Sequence, residues 1–193
     1  MLSSACDLKC VYCMPKDSSA WAKELGEPVQ SPSPEWKAHV KKTLLEYFEN
    51  KNWDTQNMYW FYFTGGEPTY NLEMISFIED ILDRVPKTVE KTVIINSNLN
   101  TKPIVLERFL QYVKNNPHTK IGVSASFDSL EQKCEAIRYG INWERAMNNL
   151  KRYFEFDNVQ VFLSPTVNLL SVPDMLEYII YFKELYERYN KPL

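Results

Sequence analysis

The chain has 193 residues, 45% hydrophobic and 14% aromatic, and its 24% of charged residues nearly cancel to a formal net charge of −3. That length and apolar content suit one domain with a substantial core. A near-neutral balance offers no strong signal for nucleic acid or an anionic membrane surface, and the longest apolar runs, such as MYWFYF at 58–63, fall far short of the roughly 20 residues that span a bilayer.

No basic-then-apolar signal segment is read at the start, and four cysteines are too few for a secreted disulfide framework. The expectation is a soluble, cytoplasmic protein with reduced thiols and no membrane partner.

The first feature in chain order is CDLKCVYCMPKDSSAW, residues 6–21, which places cysteines at 6, 10 and 13. Met1 and Leu2 are too few to make a full strand ahead of it. A helix is predicted over SPSPEWKAHVKKTLLEYFEN, residues 31–50, with Ser33 as N-cap, Pro34 at the first helical position, and Trp36, Val40, Leu44 and Phe48 at four-residue spacing on one face. From Met58 onward β-rich runs alternate with helical patterns. The strands are NMYWFYFT, KTVIINS, KIGVSASF and VQVFLSPTV. Each is dense in β-branched or aromatic residues and almost continuously apolar, as parallel strands covered on both faces should be. The helices between and after them are predicted at Leu72–Val85, Pro103–Val113, Trp143–Phe154 and Pro173–Tyr189. The alternation implies βαβ units, hence an α/β fold with a parallel sheet. The final helix ends at RYNKPL with no strand after it, so the chain is expected to be a fragment whose first strand is a stub.

Thiolates as close as Cys6, Cys10 and Cys13 reach one metal centre from a loop wrapped around it. Two plainer readings stay open. The thiols are buried and free, or they form a zinc site completed by a distant ligand, although His39 and His118 are the only histidines and neither stands in a zinc-type spacing. Cys134, in LEQKCEAIRYG, is assigned to packing. Three thiolates rather than four leave one iron of a cubane cluster open to a small-molecule chelator.

The second constellation is FYFTGGEPTYN, residues 61–71, where a strand ends in two glycines, an acid and a proline before a helix. Gly65 and Gly66 let a ligand approach the backbone, Glu67 is suited to accept hydrogen bonds from an ammonium group, and Pro68 fixes the turn. Alone, this reads equally well as a tight βα loop.

Together the two motifs resemble the radical SAM family, in which CxxxCxxC holds a 4Fe-4S cluster and a GGEP-type loop binds the amino group of S-adenosylmethionine. The resemblance implies a partial parallel (β/α)6 TIM-like barrel over residues 1–193. Its cofactors would be a 4Fe-4S cluster on Cys6, Cys10 and Cys13, and S-adenosylmethionine. Its chemistry would be reductive cleavage to a 5′-deoxyadenosyl radical that abstracts hydrogen, fed by a one-electron reductant of flavodoxin or ferredoxin type. Tyr12, before the last cysteine, fits the position beside adenine. VIINSNLN places Ser97 and Asn98 near the cofactor, VSASFDS does the same for Ser126 and Asp128, and Arg138 matches an arginine that pairs with the methionyl carboxylate, a chemistry suited to a guanidinium fork. Thr166 and Val167 would meet adenine or substrate at the last strand exit. Ser97, Asn98 and Asp128 also suit ordinary turns and caps.

The wording of the cysteine segment, taken with FTGGEPTYN and IINSNLN, is similar to uncharacterised radical SAM proteins with a SPASM-like or twitch extension, which would imply peptide or protein modification and an auxiliary-cluster domain beyond this segment. The substrate itself is not indicated by the residues. The alternative class is a non-catalytic iron–sulfur or zinc protein with a structural or electron-transfer role, and a scaffold domain that has lost turnover stays open beside it.

Overall fold

A computed structural model describes residues 4–29 and 31–192. The stub expected at Met1 and Leu2 lies outside them. Four parallel strands form the central sheet: β2 (Tyr59–Phe63), β3 (Lys91–Ser97), β4 (Lys120–Ala125) and β6 (Val159–Leu163), in the order β2-β3-β4-β6. Strand order follows chain order, so each neighbour is reached through a crossover containing helix, as parallel pairing requires. The crossovers are α3 (Leu72–Leu82), α4 (Pro103–Asn115), and α5 (Glu131–Ile137) with α6 (Trp143–Tyr153). A 3-10 turn at Val172–Asp174 leads into α7 (Met175–Arg188). Register runs Tyr59 opposite Lys91, Thr92 opposite Lys120 and Ile121 opposite Val159. This is the predicted α/β class, and every predicted helix and strand forms.

Before the sheet come α1 (Ser19–Glu24) and α2 (Pro34–Asn50). Ser33 caps α2 by accepting from Trp36 N at 3.2 Å, and Asn71 and Asn142 cap α3 and α6 in the same way. The apolar stripe of α2 is less covered than its periodicity predicts, since none of its residues is fully buried and Trp36 is exposed. The helix lies against α3, and near its end the ring of Phe48 stands 5.7 Å from that of Phe61 on β2.

The core lies on one side of the sheet. Val93, Ile95, Ile121, Val123 and Val161 pack against Ile78, Leu106, Phe109, Leu150 and Phe182 from the helices. Each such side chain contributes about 1.5–3 kcal/mol of burial. The expectation of strands covered on both faces is corrected for β2 and β6. Trp60 and Tyr62 are 65% and 58% exposed and Phe162 is exposed, beside a cavity of about 400 Å³ that Trp60, Ile94 and Phe162 help to line. Aromatic residues on both faces of β2 conceal the alternation that would mark one face as open.

A two-stranded antiparallel ribbon, β1 (Lys9–Cys10) with β5 (Arg138–Tyr139), adds to this frame and was not predicted. It pins the cysteine loop to the segment after α5.

Candidate functional site

The cysteine loop is braced by a helix that the sequence pattern did not reveal. Ser18 caps α1 and donates to Leu8 O at 2.5 Å, Ser19 Oγ exchanges hydrogen bonds with the backbone of Cys6, and Trp21 Nε1 donates to Cys10 O at 2.9 Å. Within the loop, Cys13 N closes a turn onto Cys10 O at 3.0 Å.

All three thiols are free, Cys10 buried and Cys6 and Cys13 half-buried. A hydrogen bond between Cys10 and Cys13, reinforced at Cys10 by burial, raises the Cys10 thiol and lowers that of Cys13. Burial pushes the Cys6 thiol up to about 12. Among the described residues no three His, Cys, Asp or Glu side chains stand together in metal-ligating arrangement. The loop gathers the donors without closing them into a cluster.

The GGEP loop meets this segment directly. Gly65 and Gly66 both take positive φ, +91° and +57°, which a residue with Cβ adopts at a cost. A Cβ on Gly66 would fall 2.6 Å from Ala5 O, and the following amide, Glu67 N, donates to that same oxygen at 2.8 Å. No hydrogen bond reaches the carbonyl of Gly65 or Gly66 from any described residue, so both oxygens keep their capacity to accept.

Glu67 is turned inward. Its Oε1 accepts from Thr69 N (3.0 Å), Thr69 Oγ1 (2.6 Å) and Ser97 Oγ (2.9 Å), and its Oε2 from Asn98 N (2.7 Å). Burial raises this carboxyl while the four donors oppose the shift. Glu67 therefore ties the exit of β2 to the exit of β3. Pro68 is buried beside it.

Asn98 also reaches the cysteine loop, donating from Nδ2 to Asp7 Oδ1 at 3.2 Å. Asn100 donates to Asp7 Oδ2 at 2.7 Å and to Gly140 O, while its own oxygen accepts from Asn142 N and from Arg145. Leu99 between them has φ +58°, and Asn149 Nδ2 donates to the carbonyls of Leu99 and Thr101. Asp7, Thr69, Asn100, Thr101 and Asn149 are not singled out by the sequence: Thr69, Asn100 and Thr101 look like generic turn formers after a strand, and Asp7 in the cysteine loop and Asn149 within α6 show their role only through partners distant in sequence.

At the exit of β4, Asp128 is fully buried. Its Oδ1 accepts from Arg138 Nη2 (2.9 Å) and Thr166 N (2.7 Å), and its Oδ2 accepts from Tyr12 OH (2.5 Å). Arg138 Nε lies 2.9 Å from Oδ2 as an ion pair without hydrogen-bond alignment. Burial works against the guanidinium charge, but Asp128 outweighs it and the Arg138 pKa moves up. Arg138, expected against a methionyl carboxylate, thus has a protein carboxylate as its partner. Ser126 is half-buried, and Val167 is 63% exposed beyond Thr166. Cys134 is buried in α5, in keeping with packing.

Every predicted residue except Cys134 thus stands either on the cysteine loop and its ribbon or at a strand C-terminal end, which is where parallel α/β barrels assemble their sites.

Solved structures share this architecture. The chain superposes on native anSMEcpe with bound AdoMet at a TM-score of 0.68 and 19% identity, covering 95% of this chain and 47% of that one. The same protein with bound AdoMet and Kp18Cys peptide gives 0.65 at 20% identity, covering 95% and 46%. A histidine-tagged form of anSMEcpe with bound AdoMet gives 0.66 at 21% identity, covering 95% and 45%. At such identities the likeness is one of fold, and the chain spans slightly less than half the length of these structures. No curated protein matches this chain. Residues 1–179 match the radical SAM superfamily, so the chain belongs to that superfamily.

Proposed function

We propose that this chain is the cofactor-binding core of a radical SAM enzyme. The observation that carries the reading is the docking of the three-cysteine loop onto the strand exits through the Gly66–Ala5 approach, with two acceptor carbonyls beside it. The donor set fits a 4Fe-4S cluster: three thiols on one loop and a guanidinium next to Cys10 that favours anionic sulfur. Cys6, Cys10 and Cys13 would hold the cluster, and loading requires their sulfurs to turn toward one another with loss of the thiol protons.

When bound, the cluster and S-adenosylmethionine supply one-electron cleavage to a 5′-deoxyadenosyl radical that abstracts hydrogen. This chain's residues bind and orient. The Gly65 and Gly66 carbonyls would accept from the ammonium group of S-adenosylmethionine, with Tyr12, Ser126 and Val167 forming walls of the same site. Glu67, Pro68, Ser97, Asn98, Asp128 and Arg138 would hold the frame from below. The reductant is a flavodoxin- or ferredoxin-type protein, and the setting is the cytoplasm. A peptide substrate is in keeping with the peptide held by one structural relative, as is a place among SPASM or twitch proteins. Among the described residues no helix is long and apolar enough to cross a membrane.

Anaerobic reconstitution with iron and sulfide tests this reading. The expected result is about four irons per chain, 5′-deoxyadenosine on reduction with S-adenosylmethionine, and loss of both on replacing any of the three cysteines by alanine. Zinc without iron after anaerobic purification overturns the reading in favour of a structural metal site.

A further inference from the structure

The guanidinium of Arg138 is only partly used by Asp128. Two of its nitrogens face that carboxylate, and the third, Nη1, points to Cys10 Sγ at 3.9 Å. The backbone enforces this meeting. Cys10 and Arg138 are Cα partners across the β1–β5 ribbon, and Val11 N donates to Ile137 O at 2.9 Å. The side chain is locked from its far end. Asp128 is fixed by Thr166 N and by the Tyr12 hydroxyl, and the Tyr12 ring lies 5.6 Å from the guanidinium carbon. Arg138 is 7% exposed and Asp128 fully buried, so water does not screen the contact.

We propose that Arg138 is a positioning residue that tunes the cluster, held by Asp128 and Tyr12 so that an N–H rests on the sulfur of Cys10 and raises the reduction potential of the cluster bound there. The inference rests on the cluster reading above. Hydrogen bonds to ligating sulfurs and nearby charge are among the levers that set iron–sulfur potentials, and groups behind a ligand fix its orientation. A donor on Cys10 stabilises the electron added on reduction, so the reductant meets a more accepting cluster. Lysine at this position could not do the same work, because one ammonium cannot serve both the carboxylate and the sulfur.

The test uses anaerobically reconstituted protein without S-adenosylmethionine, poised with dithionite and mediators and read by EPR. Three proteins are compared: wild type, Arg138→Lys, and the double variant Arg138→Gln/Asp128→Asn, which neutralises both members of the buried pair together. The expected result is wild-type iron content in both variants and a potential lowered by about 59 mV, the equivalent of tenfold in the reduced-to-oxidised ratio for one electron. Unchanged potentials with full iron content overturn the role of Arg138 and leave the cluster reading standing. Failure of the wild type to take up iron defeats the cluster reading and this inference with it. Variants that fold but load no iron show that Arg138 is needed for binding rather than tuning, which also overturns the proposal. Where circular dichroism shows that the double variant does not fold, Arg138→Lys decides by the same comparison.

Discussion

Gly66 and Ala5 are joined so closely that no side chain fits between them: a Cβ on Gly66 would lie 2.6 Å from Ala5 O, the oxygen that also receives Glu67 N. The exit of β2 and the entry of the cysteine loop therefore move as one unit. Gly66→Ala must either leave the left-handed backbone or push the loop away. The left-handed conformation alone costs about 1–2 kcal/mol for a residue with Cβ, and the overlap adds to it. Urea denaturation of the apo-protein is expected to show a loss of at least that size, and iron uptake should fall further than stability does, because the displaced segment carries the ligands.

Glu67 is a brace with four protein donors, and Glu67→Gln tests that assignment. The amide keeps one acceptor oxygen and turns the other into a donor. Whichever way it lies, at least one of Asn98 N and the Thr69–Ser97 group loses its acceptor in a buried place. The expected cost is about 1–3 kcal/mol, read as a lowered midpoint in chemical denaturation. A variant as stable as wild type would show that the carboxylate is not what joins β2 to β3.

These two residues also show what the sequence reveals and what it withholds. The GGEP loop was legible as a strand exit with special backbone, since glycine pairs after an aromatic strand have few other uses. The four strands and the long helices were legible for the same kind of reason: β-branched runs and apolar spacing are local signals. The direction of the Glu67 side chain was not legible, because it depends on Thr69, Ser97 and Asn98 arriving from two strand exits. Trp60 and Tyr62 misled in another way, since an aromatic strand reads as buried on both sides until the placement of the helices is known. The ribbon joining Cys10 to Arg138 spans 128 positions of sequence, and no local pattern announces a two-residue pairing at that distance.

Asn100 is expected to matter as much as any cysteine for loop position. Its amide donates to Asp7 and Gly140 and accepts from Asn142 and Arg145. Asn100→Ala leaves Asp7 dependent on Asn98 alone and frees the backbone of Gly140, next to the ribbon. A loss of about 2–3 kcal/mol is expected from unsatisfied buried groups, together with faster hydrogen exchange across 6–13 and 138–142. Exchange confined to the α6 end would place the role of Asn100 away from the cysteine loop.

Cys134 separates packing from ligation. Cys134→Ala should leave iron stoichiometry unchanged and cost about 1 kcal/mol, the scale of a small buried apolar group. Loss of iron in this variant would make Cys134 a fourth ligand.

The thiols should differ in reactivity in the apo-protein, in an order set by their surroundings. Alkylation proceeds through the thiolate. Cys13 is half-buried and lowered by the hydrogen bond from Cys10, so it is expected to react first with iodoacetamide near neutral pH. Cys6, pushed up to about 12 by burial, follows, and buried Cys10 and Cys134 come last. The same shifts carry a stability signature. A thiol whose pKa is raised in the folded chain stabilises the fold fully below its ordinary value of about 8.5. That contribution is lost as pH climbs through the folded value, about 12 for Cys6 and about 11 for Cys134. The melting temperature of the apo-protein should therefore fall as pH climbs above about 8.5, and fall less steeply in Cys134→Ala, which lacks one of the three raised thiols, Cys6, Cys10 and Cys134. Equal slopes in the two proteins would remove Cys134 from the explanation, and alkylation of Cys10 before Cys13 would reverse the direction of their hydrogen bond.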